Sequence, residues 1–229
     1  TQIGGNTCTE SGEVAIFSEF EFSGSVISDN IVDGAATGIS ITNLDKEGHL
    51  ATCTGNIVRN IALKSETNPD TRPVGIYAEA DTVVANNSVD QVPGVGILVG
   101  NGPYVRNVVV SGNVITSARY GSGVSVVQDD KAGPVRVSDN IIGAGSEHRI
   151  VGLEWDKLAS TGLAADAAKY PNVVVSDNTV GQTLGLISAV ARRAPTTRSR
   201  TLRMLCDDKR SRILRWASSG PLTARSNVA

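Results

Sequence analysis

One short pattern of apolar and polar positions recurs along the chain, centred on an asparagine. It appears as VISDNIV at 26–32, TCTGNIV at 52–58, VVANNSV at 83–89, VVVSGNVI at 108–115, VRVSDNII at 135–142 and VVVSDNTV at 173–180. Apolar and small polar residues alternate up to the asparagine, which is typical of a β-strand with one buried face. The residue just before the asparagine is Asp, Gly or Asn. These types adopt left-handed backbone or bond their own chain, so the pattern predicts a corner at each asparagine.

The asparagines place the repeats in one register. They are Asn6, Asn30, Asn56, Asn87, Asn113, Asn140 and Asn178, separated by 24, 26, 31, 26, 27 and 38 residues. A single repeat cannot bury its own apolar face, so we expect the repeats to stack on one another. The asparagine side chains should then hydrogen-bond from repeat to repeat. In particular, we expect Val110 to stack on Val137 while both are buried, and Asn113 to lie beside Asn140.

A second strand is predicted after most corners, where a glycine precedes an alternating apolar pair. These segments lie at 38–41, 75–78, 96–99 and 123–126, with a bulkier version at 152–155. Two repeats contain insertions. Residues 63–73 are polar and contain proline, which predicts a loop. The second insertion is residues 153–171, and its centre at 158–169 is rich in Ala and Leu, which predicts a short helix weakened by Gly162. Insertions of solenoid proteins tend to collect on one face, which is often the binding face.

The corner V-x-V-S-x-N-x-[IV] and the later strand G-[IV]-x-[VI] resemble those of right-handed parallel β-helix proteins. The chain looks most like the twin-arginine-translocated repeat proteins of that fold, and more distantly like pectate-lyase-type enzymes. The resemblance implies an all-β fold, a right-handed parallel β-helix (solenoid) of about seven coils over residues 1–182. It also implies a periplasmic or extracellular location. The chain itself shows neither an initiator Met nor a signal peptide, which suggests a processed product or a fragment.

Charge divides the chain into two parts. Residues 191–229 hold ten basic and two acidic residues, a net +8, and since the totals are 21 and 23 this leaves a net −10 for residues 1–190. The repeat is lost over residues 183–229, which we interpret as a frameshifted, non-native or disordered stretch. Two alternatives are a cap over the open end of the solenoid and an arm that binds RNA or anionic surfaces. Apart from that last alternative, the near-neutral net charge of the whole chain argues against a nucleic-acid partner.

Two further features limit the function classes. No apolar run approaches the roughly 20 residues of a membrane span, so no span is predicted. The cysteines, Cys8, Cys53 and Cys206, have neither CxxC nor Cys/His zinc spacing. We expect them to be small buried thiols. The alternative is one disulfide bond between two of them, if the compartment is oxidising.

Candidate chemistry begins with carboxylates that recur after the second strand. They are Asp45, Asp81, Asp129, Asp130 and Asp156. Such a row can bind calcium, with Asp81, Asp129 and Asp156 as candidate ligands, or can act as acid and base on a sugar. The alternative is a series of solvated Asp-rich turns. For catalysis the candidates are Asp129, Asp130, His148, Arg149 and Asp156. No other cofactor is predicted.

Candidate ligand-binding residues are Tyr77, Asp81, Arg119 and Trp155. Tyr77 should point outward and offer a face on which a sugar ring can stack. The motif set of pectin-degrading hydrolases is missing, because Gly48-His49 is followed by Leu50 and Asp129-Asp130 stands alone. We therefore expect an exported binding or scaffold protein that presents a lateral polar face to a polysaccharide or envelope partner. The alternatives are a lyase, epimerase or hydrolase of acidic glycans, and a degenerate fragment without a function of its own.

Overall fold

The computed structural model describes residues 1–42, 49–127 and 132–181, which form an all-β body. Its strands are β1 (Gln2–Gly4), β2 (Thr7–Glu19), β3 (Ser23–Ser28), β4 (Ile31–Thr42), β5 (His49–Thr54), β6 (Ile57–Arg59), β7 (Val74–Ala78), β8 (Thr82–Ala85), β9 (Ser88–Asp90), β10 (Val92–Val99), β11 (Val108–Ser111), β12 (Val114–Ile115), β13 (Ala118–Ser125), β14 (Val135–Ser138), β15 (Ile141–Ile142), β16 (His148–Glu154), β17 (Lys157–Ser160), β18 (Val173–Ser176) and β19 (Thr179–Val180). The described helical segments are α1 (Leu163–Asp166) and 3₁₀ turns at Gly102–Tyr104 and Ala167–Lys169. Asp45, Asp129, Asp130 and the basic tail at 183–229 lie outside the described residues.

The first sheet contains the strands that precede the corner asparagines. Its seven strands follow the order β1-β3-β5-β8-β11-β14-β18, and every neighbouring pair is parallel. Each strand therefore pairs with the equivalent strands of adjacent repeats. The predicted pairing of Val110 with Val137 is confirmed, and both side chains are fully buried.

The second sheet combines two sets of strands. Short strands follow the corners directly (β6, β9, β12, β15 and β19), and longer ones come later in each repeat (β7, β10, β13 and β16). The long strand β4 joins the two sets, and β2 pairs with β4 in parallel. The pairing of β16 with β17 is antiparallel.

The core consists of aliphatic columns from both sheets. It includes Ile27, Cys53, Val84, Val110 and Val137 of the first sheet, and Val32, Val58, Val89, Ile115 and Ile142 after the corners. β-branched side chains suit such ladders because they pack well on a pleated surface. Cys53 is buried as expected and Cys8 is half-buried, and neither forms a disulfide within the described part of the chain. Cys206 lies outside the described residues.

The corner asparagines form a continuous hydrogen-bonded ladder. The Oδ1 of Asn113 accepts hydrogen bonds from the backbone N–H and from the Nδ2 of Asn87, at 2.9 and 3.0 Å. The same pair of bonds joins every consecutive pair of these residues from Asn6 through Asn30, Asn56, Asn87, Asn113 and Asn140 to Asn178. The residue before the asparagine has a positive φ, as a corner requires, in Asp29, Gly55, Asn86, Gly112, Asp139 and Asp177.

The register of the later glycines corrects the prediction. The residues paired across the strands are Gly38, Gly75, Gly96, Gly121 and Arg149, whereas we expected Gly123 and Gly152. The shift from Gly123 to Gly121 is two residues and keeps the alternation intact, so the pattern alone does not distinguish these two glycines. The shift from Gly152 to Arg149 is three residues and reverses the alternation, so that Leu153 packs with Leu98 outside the main core. Steric crowding requires the glycine at position 121, because a Cβ on Gly121 would lie 2.6 Å from the carbonyl oxygen of Arg149. As a consequence, Ser122 takes a buried position opposite Ile97 and Ile150.

The two insertions differ in outcome. Residues 63–73 form a loop without helix or strand, as predicted. In the second insertion the helix begins only at Leu163, and Lys157–Ser160 instead form β17. Pairing with β16 therefore overrides the helix propensity of Leu158 and Ala159. Within the described ranges, no helix has both the length and the apolar character that crossing a membrane requires.

Candidate functional site

A groove of about 390 Å³ lies on the outer face of the second sheet. Its floor includes Phe17, Ser40, Tyr77 and Leu98, which pair in register across β2, β4, β7 and β10. These residues alternate with core residues along their strands, so they point away from the core. Tyr77 and Leu98 belong to a small apolar cluster that is separate from the main core.

A polar row lies two residues further along the same strands. Glu19 pairs with Thr42, and the backbone N–H of Glu79 donates to the carbonyl of Ile41. The Oε1 of Glu19 accepts hydrogen bonds from the hydroxyls of Ser40 at 3.0 Å and Thr42 at 3.1 Å. Glu19 is half-buried and lines the groove, so its carboxylate is held in place and stays accessible.

Tyr77 points outward, as the sequence predicts, but its ring is largely covered. Its hydroxyl donates to Oε1 of Glu79 at 3.2 Å, and the Glu79 side chain is fully buried. Burial, and then the negative charge of Glu79, raise the pKa of Tyr77 well above its usual range. The phenol therefore stays protonated, and its hydrogen bond to Glu79 fixes the ring at the floor of the groove.

The loop at 63–73 forms one wall of the groove. Asn68 Nδ2 donates to Oε1 of Glu13 at 2.9 Å, and the hydroxyl of Thr71 donates to the same oxygen at 3.2 Å. The hydroxyl of Thr37 donates to the carbonyl of Arg72 at 2.6 Å. The loop is thus tied to β2 and β4, which places Asn68 and Arg72 beside the floor residues.

The turn between β16 and β17 meets this loop at the rim. Asp156 forms an ion pair with Arg72, although the two residues are 84 positions apart in the chain. The neighbouring Trp155 rests its ring on Gly102, where a Cβ would lie 2.5 Å from the ring. Trp155 stays 53% exposed, so it offers an aromatic surface close to Asn101, which lines the groove. The loop at 63–73 and the start of the second insertion therefore meet at the rim of this groove.

The groove is acidic. Among the described residues, the charged ones that line it are Glu13, Glu19, Asp70 and Arg72, and Arg72 is paired with Asp156 at the rim. A surface of one sign favours ligands that are neutral or of opposite charge. A polyanion such as a polyuronate would meet repulsion here, whereas a neutral sugar or an amino sugar would not.

Arg119 and His148 lie away from the groove, at the start of β13 and β16. The guanidinium of Arg119 stacks over the ring of Tyr120 at 5.0 Å and donates to Glu147 at 3.2 Å. The rings of Tyr120 and His148 are stacked with centroids 5.8 Å apart. The next residue, Arg149, donates to the carbonyl of Gly181 at 2.8 Å. These contacts hold neighbouring repeats together.

Asp81 belongs to a different corner. It accepts hydrogen bonds from Arg106 at 3.3 Å and from Asn107 at 2.7 Å. In the described ranges, no group of three or more His, Cys, Asp or Glu side chains is arranged to hold a metal ion. The structure therefore does not bring Asp81 and Asp156 together with a third such ligand. Because Asp129 lies outside these ranges, the calcium site stays a prediction.

Sequence reasoning missed Glu19, Glu79 and Arg72. A signal existed for the two carboxylates, since Glu19 follows Phe17 by two residues and Glu79 follows Tyr77 by two, which puts each pair on one face of its strand. No comparable signal exists for Arg72, because its position depends on how the loop folds back.

Comparison of the chain with models of protein families, with curated proteins and with solved structures found no match. The interpretation of the groove therefore rests on its own residues.

Proposed function

We propose that this protein is an exported right-handed parallel β-helix that binds a glycan in the groove on the second sheet. Parallel pairing of equivalent strands from successive repeats supports the coiled architecture. Right-handed crossovers join parallel strands of one sheet in about 98% of cases, which supports the handedness. A periplasmic or extracellular location rests on the resemblance of the repeats.

The groove itself is the observation that carries the binding function. Ligand sites combine an apolar floor with a few fixed polar groups. Here Tyr77 and Leu98 pack at the floor, and the exposed ring of Phe17 beside them supplies an apolar surface on which the C–H face of a sugar ring can lie. Glu19, Asn68 and Asn101 supply acceptors and donors for sugar hydroxyls. Trp155 adds an aromatic surface at the rim.

The charge of the groove favours a neutral or amino-bearing glycan. Glu13, Glu19 and Asp70 outnumber Arg72, so uronate chains are disfavoured electrostatically. An ammonium group of an amino sugar can form a charge-assisted hydrogen bond with Glu19. This differs from the acidic glycans that the alternative enzyme hypothesis requires.

Calorimetric titration tests the proposal with soluble neutral oligosaccharides, glucosamine oligomers and oligouronates. We expect neutral or amino-bearing oligomers to bind and Glu19→Gln to weaken that binding about tenfold, the loss of roughly one charge-assisted hydrogen bond. The matched control is Glu147→Gln, since Glu147 is exposed, ion-paired and outside the groove. Preferential binding of uronates, or equal affinity of both variants, would contradict the proposal.

The enzyme alternative is tested in the same samples. Release of reducing ends reports a hydrolase, and new absorbance at 235 nm reports a lyase. Turnover that Glu19→Gln abolishes and Glu147→Gln leaves intact would make the groove catalytic. Binding without turnover supports the binding protein.

A further inference from the structure

The outer face of the first sheet is nearly uncharged. One outward column, paired strand by strand, consists of Gln2, Val26, Thr52, Val83, Val109, Arg136 and Val174. The next outward column consists of the small residues Gly4, Ser28, Thr54, Ala85, Ser111, Ser138 and Ser176. We call these two columns the first-sheet face. Three of its valines, Val26, Val83 and Val174, are large exposed apolar residues.

We propose that two copies of this chain associate through the first-sheet face. The two-fold axis lies parallel to the strands and passes through β8, the fourth of the seven strands. Such an interface is isologous, with the same surface on both copies. It places Val83 against the partner's Val83, and β3 against β14 of the other copy. The groove lies on the other sheet, so this interface is independent of the glycan-binding proposal.

The size of the face predicts a weak dimer. Seven strands spaced about 4.8 Å apart span roughly 29 Å, and three to six residues per strand extend about 10–20 Å. The interface therefore covers about 300–600 Å² per copy, which is at or below the low end for specific complexes. The small residues of the second column allow two sheets to approach closely. We accordingly expect association that depends on protein concentration.

The charged residues favour this axis over a two-fold axis along the stacking direction. Arg136, the single charged residue of the first-sheet face, donates from Nε to the hydroxyl of Ser138 at 3.1 Å, so its guanidinium lies towards the corner. The strand opposite β14 is the partner's β3, which leads into the partner's Asp29, an exposed corner residue. Arg136 of each copy then lies between its own Asp139 and the partner's Asp29. An axis along the stacking direction would instead bring β14 of both copies to the same level, so that the two Arg136 side chains lie near each other, which is repulsive.

The corner charges also argue against a lipid surface as the occupant. Asp29, Asp139 and Asp177 are exposed along the border of the face. Anionic headgroups would be repelled by these carboxylates. A second copy supplies Arg136 as a matching cation, whereas a surface of anionic headgroups adds only further negative charge.

Sedimentation equilibrium of the full chain over a range of concentrations tests the dimer. Val83→Glu would place two carboxylates against each other on the axis, and we expect it to raise the dissociation constant at least about tenfold. Val114→Glu is the matched control, because Val114 is similarly exposed, 37% against 42%, but lies outside the first-sheet face. Circular dichroism verifies that both variants fold. A chain that stays monomeric, or a dimer that Val83→Glu leaves intact, would overturn the proposal.

Charge reversal tests the register. Arg136→Glu and Asp29→Lys should each weaken the dimer, and the double variant Arg136→Glu/Asp29→Lys should restore it. A double variant no tighter than either single variant would overturn the pairing of these strands. Co-sedimentation of the protein with anionic phosphatidylserine vesicles tests whether the first-sheet face binds a membrane instead. Vesicle binding that Val83→Glu abolishes would overturn the proposal in favour of a membrane surface.

Discussion

Asn113 donates from its Nδ2 to the Oδ1 of Asn140 at 2.9 Å, and its backbone N–H donates to the same oxygen at 3.0 Å. One carboxamide oxygen thus fixes both the side chain and the corner backbone of the preceding repeat. The Nδ2 of Asn113 also donates to the carbonyls of Val84 and Ser111. Because this position needs an oxygen that accepts two bonds and a nitrogen that donates several, a carboxamide suits it best.

Asn113→Ala should therefore destabilise the protein severely. The backbone N–H and Nδ2 of Asn87 lose their acceptor, and the buried carbonyl of Val84 loses a donor. Each unsatisfied buried group costs about 1–3 kcal/mol, so we expect a loss of about 3 kcal/mol or more in urea unfolding. Asn178→Ala is the control, because Asn178 is only half-buried and water can replace its bonds. A similar loss in both variants would show that burial does not set the strength of the ladder.

Ser122→Ala should stabilise the protein. Ser122 lies between Ile97 and Ile150, and its buried hydroxyl has no hydrogen-bond partner among the described residues. Removing an unsatisfied hydroxyl should add about 1 kcal/mol to the free energy of unfolding. By contrast, Ser125→Ala should lower it, since the hydroxyl of Ser125 donates to the carbonyl of Gly102 at 2.7 Å. Urea unfolding of both variants measures whether each substitution raises or lowers the free energy of unfolding. Destabilisation by Ser122→Ala would argue against the buried position of Ser122.

Gly121→Ala tests the corrected glycine register. The added methyl would lie 2.5 Å from Cγ2 of Ile142 and 2.6 Å from the carbonyl oxygen of Arg149. We expect a loss of about 1–3 kcal/mol, the usual range for overpacking. Gly162→Ala should change stability little, because a Cβ there meets no described atom within 4 Å. Thermal melts separate the two, and a neutral Gly121→Ala would place Gly121 elsewhere in the repeat.

The Cys53 thiol should be inert in the folded protein. Burial raises the pKa of Cys53 to about 12, although Asn56 partly opposes this by donating to the sulfur. A free thiol ionises near pH 8.5, so Cys53 favours the folded state below that pH, and this contribution declines as the pH rises towards 12. Iodoacetamide at pH 8, followed by peptide mass spectrometry, should label the half-buried Cys8 well before Cys53. Equal labelling rates would mean that the core opens readily at Cys53.

The sequence predicts the strands and the asparagine register well, because burial and corner geometry both act within a single repeat. Val110 and Val137 pair as the spacing of 27 residues predicts. The same approach fails at Gly121, where a shift of two residues leaves the alternation unchanged, and at Leu158, where strand pairing overrides helix propensity. It also misses Arg72 at the groove, since the position of a loop residue depends on contacts distant in sequence, here with Asp156.

The stacked register, on which both the groove and the first-sheet face depend, is tested most directly by comparing two neighbouring valines in thermal unfolding. Val110 is fully buried between its equivalents in adjacent repeats, whereas Val109 points outward. Val110→Asp would bury a carboxylate without a partner, which costs several kcal/mol or forces its protonation, a large part of a typical domain's stability. Val109→Asp should be far milder. We predict a much lower melting temperature for Val110→Asp than for Val109→Asp, and equal melting temperatures would contradict the register.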